Sequence, residues 1–329
     1  MGVGVWTWVI TAAILGAFLA FDVFILGRRP HVPSTKECVL AISFYIGLAV
    51  IFGIMVGSIA GSRYAGEFFA GWVTEYSLSV DNLFIFLIIM SRFKVPKEYQ
   101  QTALLIGIII ALLLRGIMIA LGAGFIALFS WIFYIFGLIL LITAIRMAKP
   151  HTESEDADAG DNPAIRWATR HMNATSDYNG VKLSVIENGK RLVTPMFFVV
   201  IAMSTADLLF AVDSIPAIFG LTREPYIVFT ANVFALMGLR QLYFLLGGLL
   251  RRLVYLSYGL ALILAFIGVK LILEALHTNT LPFINDGQPL KSVPEVPIGL
   301  SMGIIGGILL VTTVASLLAA RRAEADEAA

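Results

Sequence analysis

Two stretches decide the fold: Glu75-Tyr-Ser-Leu-Ser-Val-Asp81-Asn82-Leu83-Phe84 and Asp207-Leu-Leu-Phe-Ala-Val-Asp213-Ser214-Ile215-Pro216. Each has an acid, five residues ending in Val, then Asp and a small polar residue, and each sits inside a long apolar run. The next run in each case carries one interior arginine, Leu114-Arg115-Gly116 and Leu239-Arg240-Gln241. The run after that carries a basic residue near its end, Arg146 and Lys270. Three marks in one order at nearly equal separations define an internal repeat of three runs.

Composition places the repeat in a membrane. Of 329 residues, 59% are hydrophobic and 14% charged, with mean hydropathy +0.88. A soluble domain carries roughly 25% charge, and a disordered chain needs low hydrophobicity with high net charge. Both classes are excluded, leaving an all-α polytopic membrane protein. A net charge of +1 gives no basis for a nucleic-acid partner. The single cysteine, Cys38, excludes an internal disulfide and a cysteine zinc cage.

About 20 apolar residues cross the hydrocarbon layer, and nine stretches qualify: 5–26, 39–60, 67–90, 101–121, 124–145, 195–219, 226–248, 253–276 and 298–320. Helices follow because each backbone N–H must be satisfied within its own span. The first stretch lacks a basic n-region and an A-x-A site, so it reads as a retained helix. Basic residues gather on alternate loops: Arg28, Arg29 and Lys36; Arg92, Lys94 and Lys97; the loop from Lys149 to Arg191; Arg251 and Arg252; Arg321 and Arg322. By the positive-inside rule the N-terminus lies outside and the C-terminus in the cytoplasm.

Three spans per half reverse the chain direction, so the second half is inverted relative to the first. The expected organisation is two peripheral helices in 1–66, a first three-helix repeat in 67–149 and a cytoplasmic loop in 150–194. A second, inverted repeat follows in 195–276, then an extracytoplasmic loop, a last helix and a cytoplasmic tail in 277–329. Such 3+3 cores with polar residues near the midplane belong to secondary transporters. The 150–194 loop starts acidic, from Glu153 to Asp161, and reads as a solvated linker; metal sensing by His151 and His171 is the lesser alternative.

An ionised group at the bilayer centre costs at least about 2.5–3.5 kcal/mol. Glu75, Asp81, Asp207, Asp213, Arg115 and Arg240 must therefore face one another or a wet cavity. The arginines read as charge-compensating partners of the acids. Four carboxylates against two arginines leave two negative charges, which one divalent cation or two protons would cancel. An ion site and purely structural pairing or a proton relay both remain open on this count. The two acids of each stretch lie about 120° apart around a straight helix and about 9 Å apart along it. Either the second acids converge across the repeat axis or a helix breaks, and Pro216 could break the second. The expected centre is Asp81 with Asp213, flanked by Asn82, Ser214 and Asn232, with Glu75 and Asp207 as further ligands or gating acids. These hard oxygen donors favour Mn²⁺, Mg²⁺ or Ca²⁺.

Met118, Met203 and Met237 read as packing. Asp22 could line an ion exit or snorkel to the interface. Lys270 and Glu274, four apart on one helix, predict an ion pair. Trp6, Trp8, Tyr255 and Tyr258 read as interfacial anchors. Intramembrane aspartyl proteases need Gly-x-Gly-Asp, whereas Ser79-Val80 and Ala211-Val212 precede the two aspartates; no enzyme is expected.

The two acidic stretches, the extension of the second through Ala217-Ile218, Ala231-Asn232-Val233-Phe234-Ala235-Leu236-Met237-Gly238-Leu239-Arg240, and Asn188-Gly189-Lys190-Arg191-Leu192 resemble the TerC family, in its Alx-like branch. The resemblance runs from the first span to about residue 275. It implies a Mn²⁺ exporter of the bacterial cytoplasmic membrane, related to the LysE-type superfamily, with a link to tellurium resistance and no organic cofactor. It also implies that Glu75, Asp81, Asp207 and Asp213 are the functional acids. Many relatives carry a glutamate three residues before the first aspartate of the second stretch; Ser204 stands there. The alternative reading is a non-transporting membrane component of a metal or tellurium stress-resistance complex. Besides the metal and membrane lipid, the sequence names no partner and leaves the oligomeric state open.

Overall fold

The computed structural model describes residues 2–21, 33–129, 131–148, 174–175, 177–187, 190–246, 255–278, 281 and 284–327. The chain is a helical bundle: α1 (Val5–Phe21), α2 (Thr35–Ala60), α3 (Ser62–Arg92), α4 (Lys97–Leu128), α5 (Ile132–Ala148), α6 (Pro195–Phe219), α7 (Pro225–Leu236), α8 (Leu239–Leu246), α9 (Leu256–His277) and α10 (Ile298–Glu327). Among the described residues, seven spans, with α7 and α8 counted as one, are long and apolar enough to cross a membrane; α1 and α5 are shorter apolar helices at the first and fifth expected positions. Apolar side chains such as Ile51, Leu113, Leu209 and Leu310 stand exposed along these helices, as lipid-facing residues do.

Local chemistry sets the starts. Ser34 caps α2 in a capping box, with Glu37 reaching back to the Ser34 backbone at 2.7 Å. Pro195 and Pro225 open α6 and α7, where a missing N–H removes no helical bond.

Two boundaries differ from expectation. The glycines at 122 and 124 were expected between the fourth and fifth spans, but α4 runs on to Leu128 and the chain turns before Ile132. Gly122 is a packing surface instead: a Cβ there would stand 3.1 Å from the Phe219 ring. The 226–248 run, expected to be continuous, breaks between α7 and α8 at Met237 and Gly238, where Gly238 takes φ +83°. Pro216 ends no helix early; α6 continues past it to Phe219.

In the loop before α6, strands β1 (Ser184–Glu187) and β2 (Lys190–Val193) pair antiparallel, Glu187 opposite Lys190. Asn188-Gly189 between them is a strong hairpin signal. Tyr178 donates to the Phe93 carbonyl at 2.8 Å, tying this segment to the end of α3. Burial pushes its phenol up to about 12, so the donor keeps its proton at physiological pH. His151 and His171 lie outside the described residues.

Packing between the triplets α3–α4–α5 and α6–α7/α8–α9 has one regularity. α3 meets α7 and α8 while α6 meets α4; α5 meets α6 while α9 meets α3; α5 meets α9, α3 meets α6, and α4 meets both halves of the broken helix. Exchanging the triplets returns the same set. The α5–α9 contact is the closest, with Gly137 and Gly268 each against the other's backbone carbonyl.

Candidate functional site

Three of the interior charges, Glu75, Arg115 and Asp207, meet where α3, α4 and α6 pack, with α7 alongside. α3 carries Glu75 and Asn82, α4 Arg115, α6 Asp207, Asp213 and Ser214, and α7 Asn232. Arg115 is 1% exposed, Glu75 0% and Asp207 3%. The guanidinium forks onto Asp207, with Nη2 to Oδ1 at 2.8 Å and Nε to Oδ2 at 3.1 Å. Its remaining nitrogen, Nη1, forms an ion pair with Glu75. One fixed cation thus pairs with one acid from each repeat, and the triad's formal charge is one negative. A planar fork with no removable proton suits this task better than an ammonium would.

Asp213 lies further along α6, partly buried, and the field of Arg115 reaches it. Asp207 and Asp213 share one unbroken helix, so about 9 Å of axis and 120° of rotation separate their attachment points. On the helices that carry these charges, several buried polar side-chain atoms have no hydrogen bond within the protein: the hydroxyls of Thr74 and Ser79 on α3 and of Ser204 and Ser214 on α6, and both amide atoms of Asn232 on α7. Asn232 is 1% exposed and Ser79 0%. Buried polar atoms are nearly always satisfied, so each of these is a place where a ligand or water can complete the bonding.

The structure brings Glu75 and Asp207 together on Arg115. Asn82, Ser214 and Asn232 are buried on the expected helices. The side chain of Asp81 lies outside the described residues, although its backbone belongs to α3, so its expected meeting with Asp213 is not described. Asp22 likewise lies outside them. Among the described residues, no three His, Cys, Asp or Glu side chains stand close enough to hold a metal. Arg240, 2% exposed, follows the α7–α8 break and lies within electrostatic reach of Cys38 on α2. Met203 and Met237 pack in apolar clusters, and Met118 lies against one.

A second polar feature was not anticipated. A cavity of about 580 Å³ opens among the start of α3, the α6–α7 connection, α9 and the segment before α10. At its edge Glu67, 4% exposed, pairs with Arg63 at 2.9 Å and accepts from Thr222 at 2.5 Å. The expected Lys270–Glu274 pair does not form. Glu274 pairs with Arg223, whose guanidinium lies 4.8 Å from the Phe133 ring centre, and Lys270 donates to Ser301 at 3.2 Å. Arg223 reaches Glu274 from another element, which helix spacing alone does not reveal. The acid at residue 67, just inside the third apolar run, was the available signal for this cavity.

Comparison with known proteins covers nearly the whole chain. The family described as "Integral membrane protein TerC family" matches residues 60–324. "Uncharacterized membrane protein Rv2723" of Mycobacterium tuberculosis (strain ATCC 25618 / H37Rv) is 48% identical over 323 residues, 98% of this chain and 81% of the relative. "Uncharacterized membrane protein STKORF319" of Myxococcus xanthus is 36% identical over 99% of this chain and 95% of its own. "Putative membrane-bound redox modulator Alx" of Escherichia coli (strain K12) is 36% identical over 92% of this chain and 91% of its own. No solved structure matches.

Proposed function

The chain belongs to the TerC family of integral membrane proteins, and from that premise we propose that it is a secondary transporter exporting a divalent cation, Mn²⁺ foremost, across the bacterial cytoplasmic membrane. One observation carries the reading: Arg115 forks onto Asp207 and pairs with Glu75, while Asp213 stands outside that triad on α6 and the side-chain oxygens of Ser79, Ser214 and Asn232 have no hydrogen bond within the protein. In this reading Asp213 and Asp81 supply the charge that holds the cation, and Asn82, Asn232 and Ser214 complete a hard-oxygen shell. Glu75 and Asp207 gate through Arg115 rather than ligate. Protons take the cation's place on the empty acids, because burial and crowding favour the neutral carboxyl. The N-terminus lies outside and the C-terminus in the cytoplasm, as the loop charges require.

Metal uptake into inverted vesicles tests this. Asp213→Asn and Asp81→Asn are expected to insert normally and abolish Mn²⁺ uptake, and Asn232→Ala to weaken it about tenfold. Parental uptake in both aspartate variants would end the proposal.

The name of the Escherichia coli relative favours a second reading, a non-transporting membrane component that acts on redox or metal stress. In this chain thiol chemistry would have to run through Cys38, which is buried at 1% exposure. Cys38→Ser is expected to leave metal tolerance unchanged. Loss of tolerance with intact vesicle uptake would favour the second reading.

A further inference from the structure

Just before the β1–β2 hairpin runs Asp177-Tyr178-Asn179-Gly180-Val181-Lys182-Leu183, with Asn179-Gly180 as a turn signal. The backbone N–H of Lys182 donates to the Asn179 carbonyl at 3.3 Å and closes the turn, and Gly180 takes φ +58° at no steric cost. Two anchors hold it. The Tyr178 hydroxyl donates to the Phe93 carbonyl at 2.8 Å, where the last carbonyls of α3 lack helical partners. Thr194, the residue before α6, donates its backbone N–H to the Leu183 carbonyl at 3.1 Å and its hydroxyl to the Lys182 carbonyl at 2.5 Å. Tyr178 and Val181 also pack on an apolar cluster that joins Met90 and Val95, at the end of α3 and beyond it, to Val193, Met196 and Val199, around the start of α6. The turn therefore bridges the α3–α4 connection and the start of α6.

Those two elements have counterparts. Exchanging the triplets carries the start of α3 onto the start of α6, and the α6–α7 connection onto the α3–α4 connection. The start of α3 and the α6–α7 connection line the cavity of about 580 Å³. The matching pair carries the turn and a dry cluster. One register position shows the contrast: Glu67, eight residues before Glu75, lines the cavity, whereas Val199, eight before Asp207, is 0% exposed within the cluster. α3 follows α2 after Gly61 alone, so no comparable segment precedes it. By the loop charges the cavity faces outside and the turn faces the cytoplasm.

We propose that the cation's access route from the cytoplasm runs between the start of α6 and the α3–α4 connection, and that the turn 177–183 is the gate that closes it. A repeat-built transporter reaches its second state by rocking one repeat against the other around a fixed site. A cavity must then open where the turn now ties the two elements together, and parting them requires releasing the Tyr178 or the Thr194 anchor. This inference deepens the transport reading and rests on it and on its orientation, but its test does not use metal flux.

In a Cys38→Ser background, Val199→Cys reports on the closed route and Tyr64→Cys on the open cavity, each labelled by a membrane-impermeant maleimide applied to either face in turn. Tyr178→Phe removes one anchoring donor and keeps the ring. Thr194→Val removes the hydroxyl of the other anchor and costs α6 no cap, because the Thr194 side chain makes no cap bond. Each is expected to speed cytoplasmic labelling of Val199→Cys about fivefold, the net worth of one hydrogen bond, while external labelling of Tyr64→Cys stays equal or slows. Val95→Cys, in the same cluster, replaces Val199→Cys should that reporter fail to insert. Cytoplasmic labelling unchanged in both variants overturns the gate. So does labelling that speeds equally at both reporters, since the whole bundle would then have loosened. The expected shifts in a protein that moves no Mn²⁺ would leave the gate standing and overturn the substrate.

Discussion

At the scale of single residues, the centre is held by an unequal charge count: one guanidinium, two carboxylates, all nearly inaccessible. Taking away one partner of a buried pair strands the other, which costs about 3–5 kcal/mol. Arg115 has two partners to strand. Arg115→Ala is therefore expected to lower the thermal midpoint of the detergent-purified protein sharply. The triple variant with Glu75→Gln and Asp207→Asn should recover more than half of that loss, because the stranded charges are gone. A single variant with the parent's midpoint would show that the triad carries no load. The residue types of this triad were legible in the sequence, since a charge inside an apolar run must find a partner. Their sharing was not, because Arg115 and Asp207 lie 92 residues apart and meet only through helix packing.

At the scale of elements, the helices were legible because lipid permits little else, and their order followed the long apolar runs, although α1 and α5 are shorter than the runs that foretold them and the seventh run is split into α7 and α8. Glycine was the unreliable signal. In water Gly122 and Gly124 would mark a turn, but inside a bundle they sit on a continuous α4, where Gly122 lets α6 approach. Gly238, which does break a helix, stands alone among apolar residues; Leu113 holds the matching place before Arg115. The positions therefore predict different costs for one substitution. Gly238→Ala needs a positive φ and puts a Cβ 3.0 Å from the Tyr45 ring, so about 1–2 kcal/mol of stability is expected to be lost. Gly137→Ala drives a methyl to 2.8 Å from the Gly268 carbonyl and should prise α5 from α9. Gly116→Ala meets nothing within 4 Å and should be neutral or stabilising by up to about 1 kcal/mol. Thermal melts of the three rank these effects, and a Gly116→Ala loss as large as that of Gly238→Ala would refute the packing account.

For the whole molecule, the decisive quantity is the charge of the four acids and two arginines taken together, minus two. Carrying two uncompensated charges through the hydrocarbon region would cost several kcal/mol whichever way the repeats rock. A cycle avoids that cost only if the core stays neutral on both legs, with one dication outward and two protons inward. Transport by the proposed route is then electroneutral. A pH gradient should drive Mn²⁺ uptake into inverted vesicles, whereas a membrane potential of 100 mV, worth about 2.3 kcal/mol per charge moved, should leave the rate unchanged. Clamping the potential with valinomycin and potassium while holding the pH gradient separates the two forces. A rate that follows the clamped potential would mean net charge crosses in each cycle. The core would then hold a third proton, or lose one, on one of its two legs.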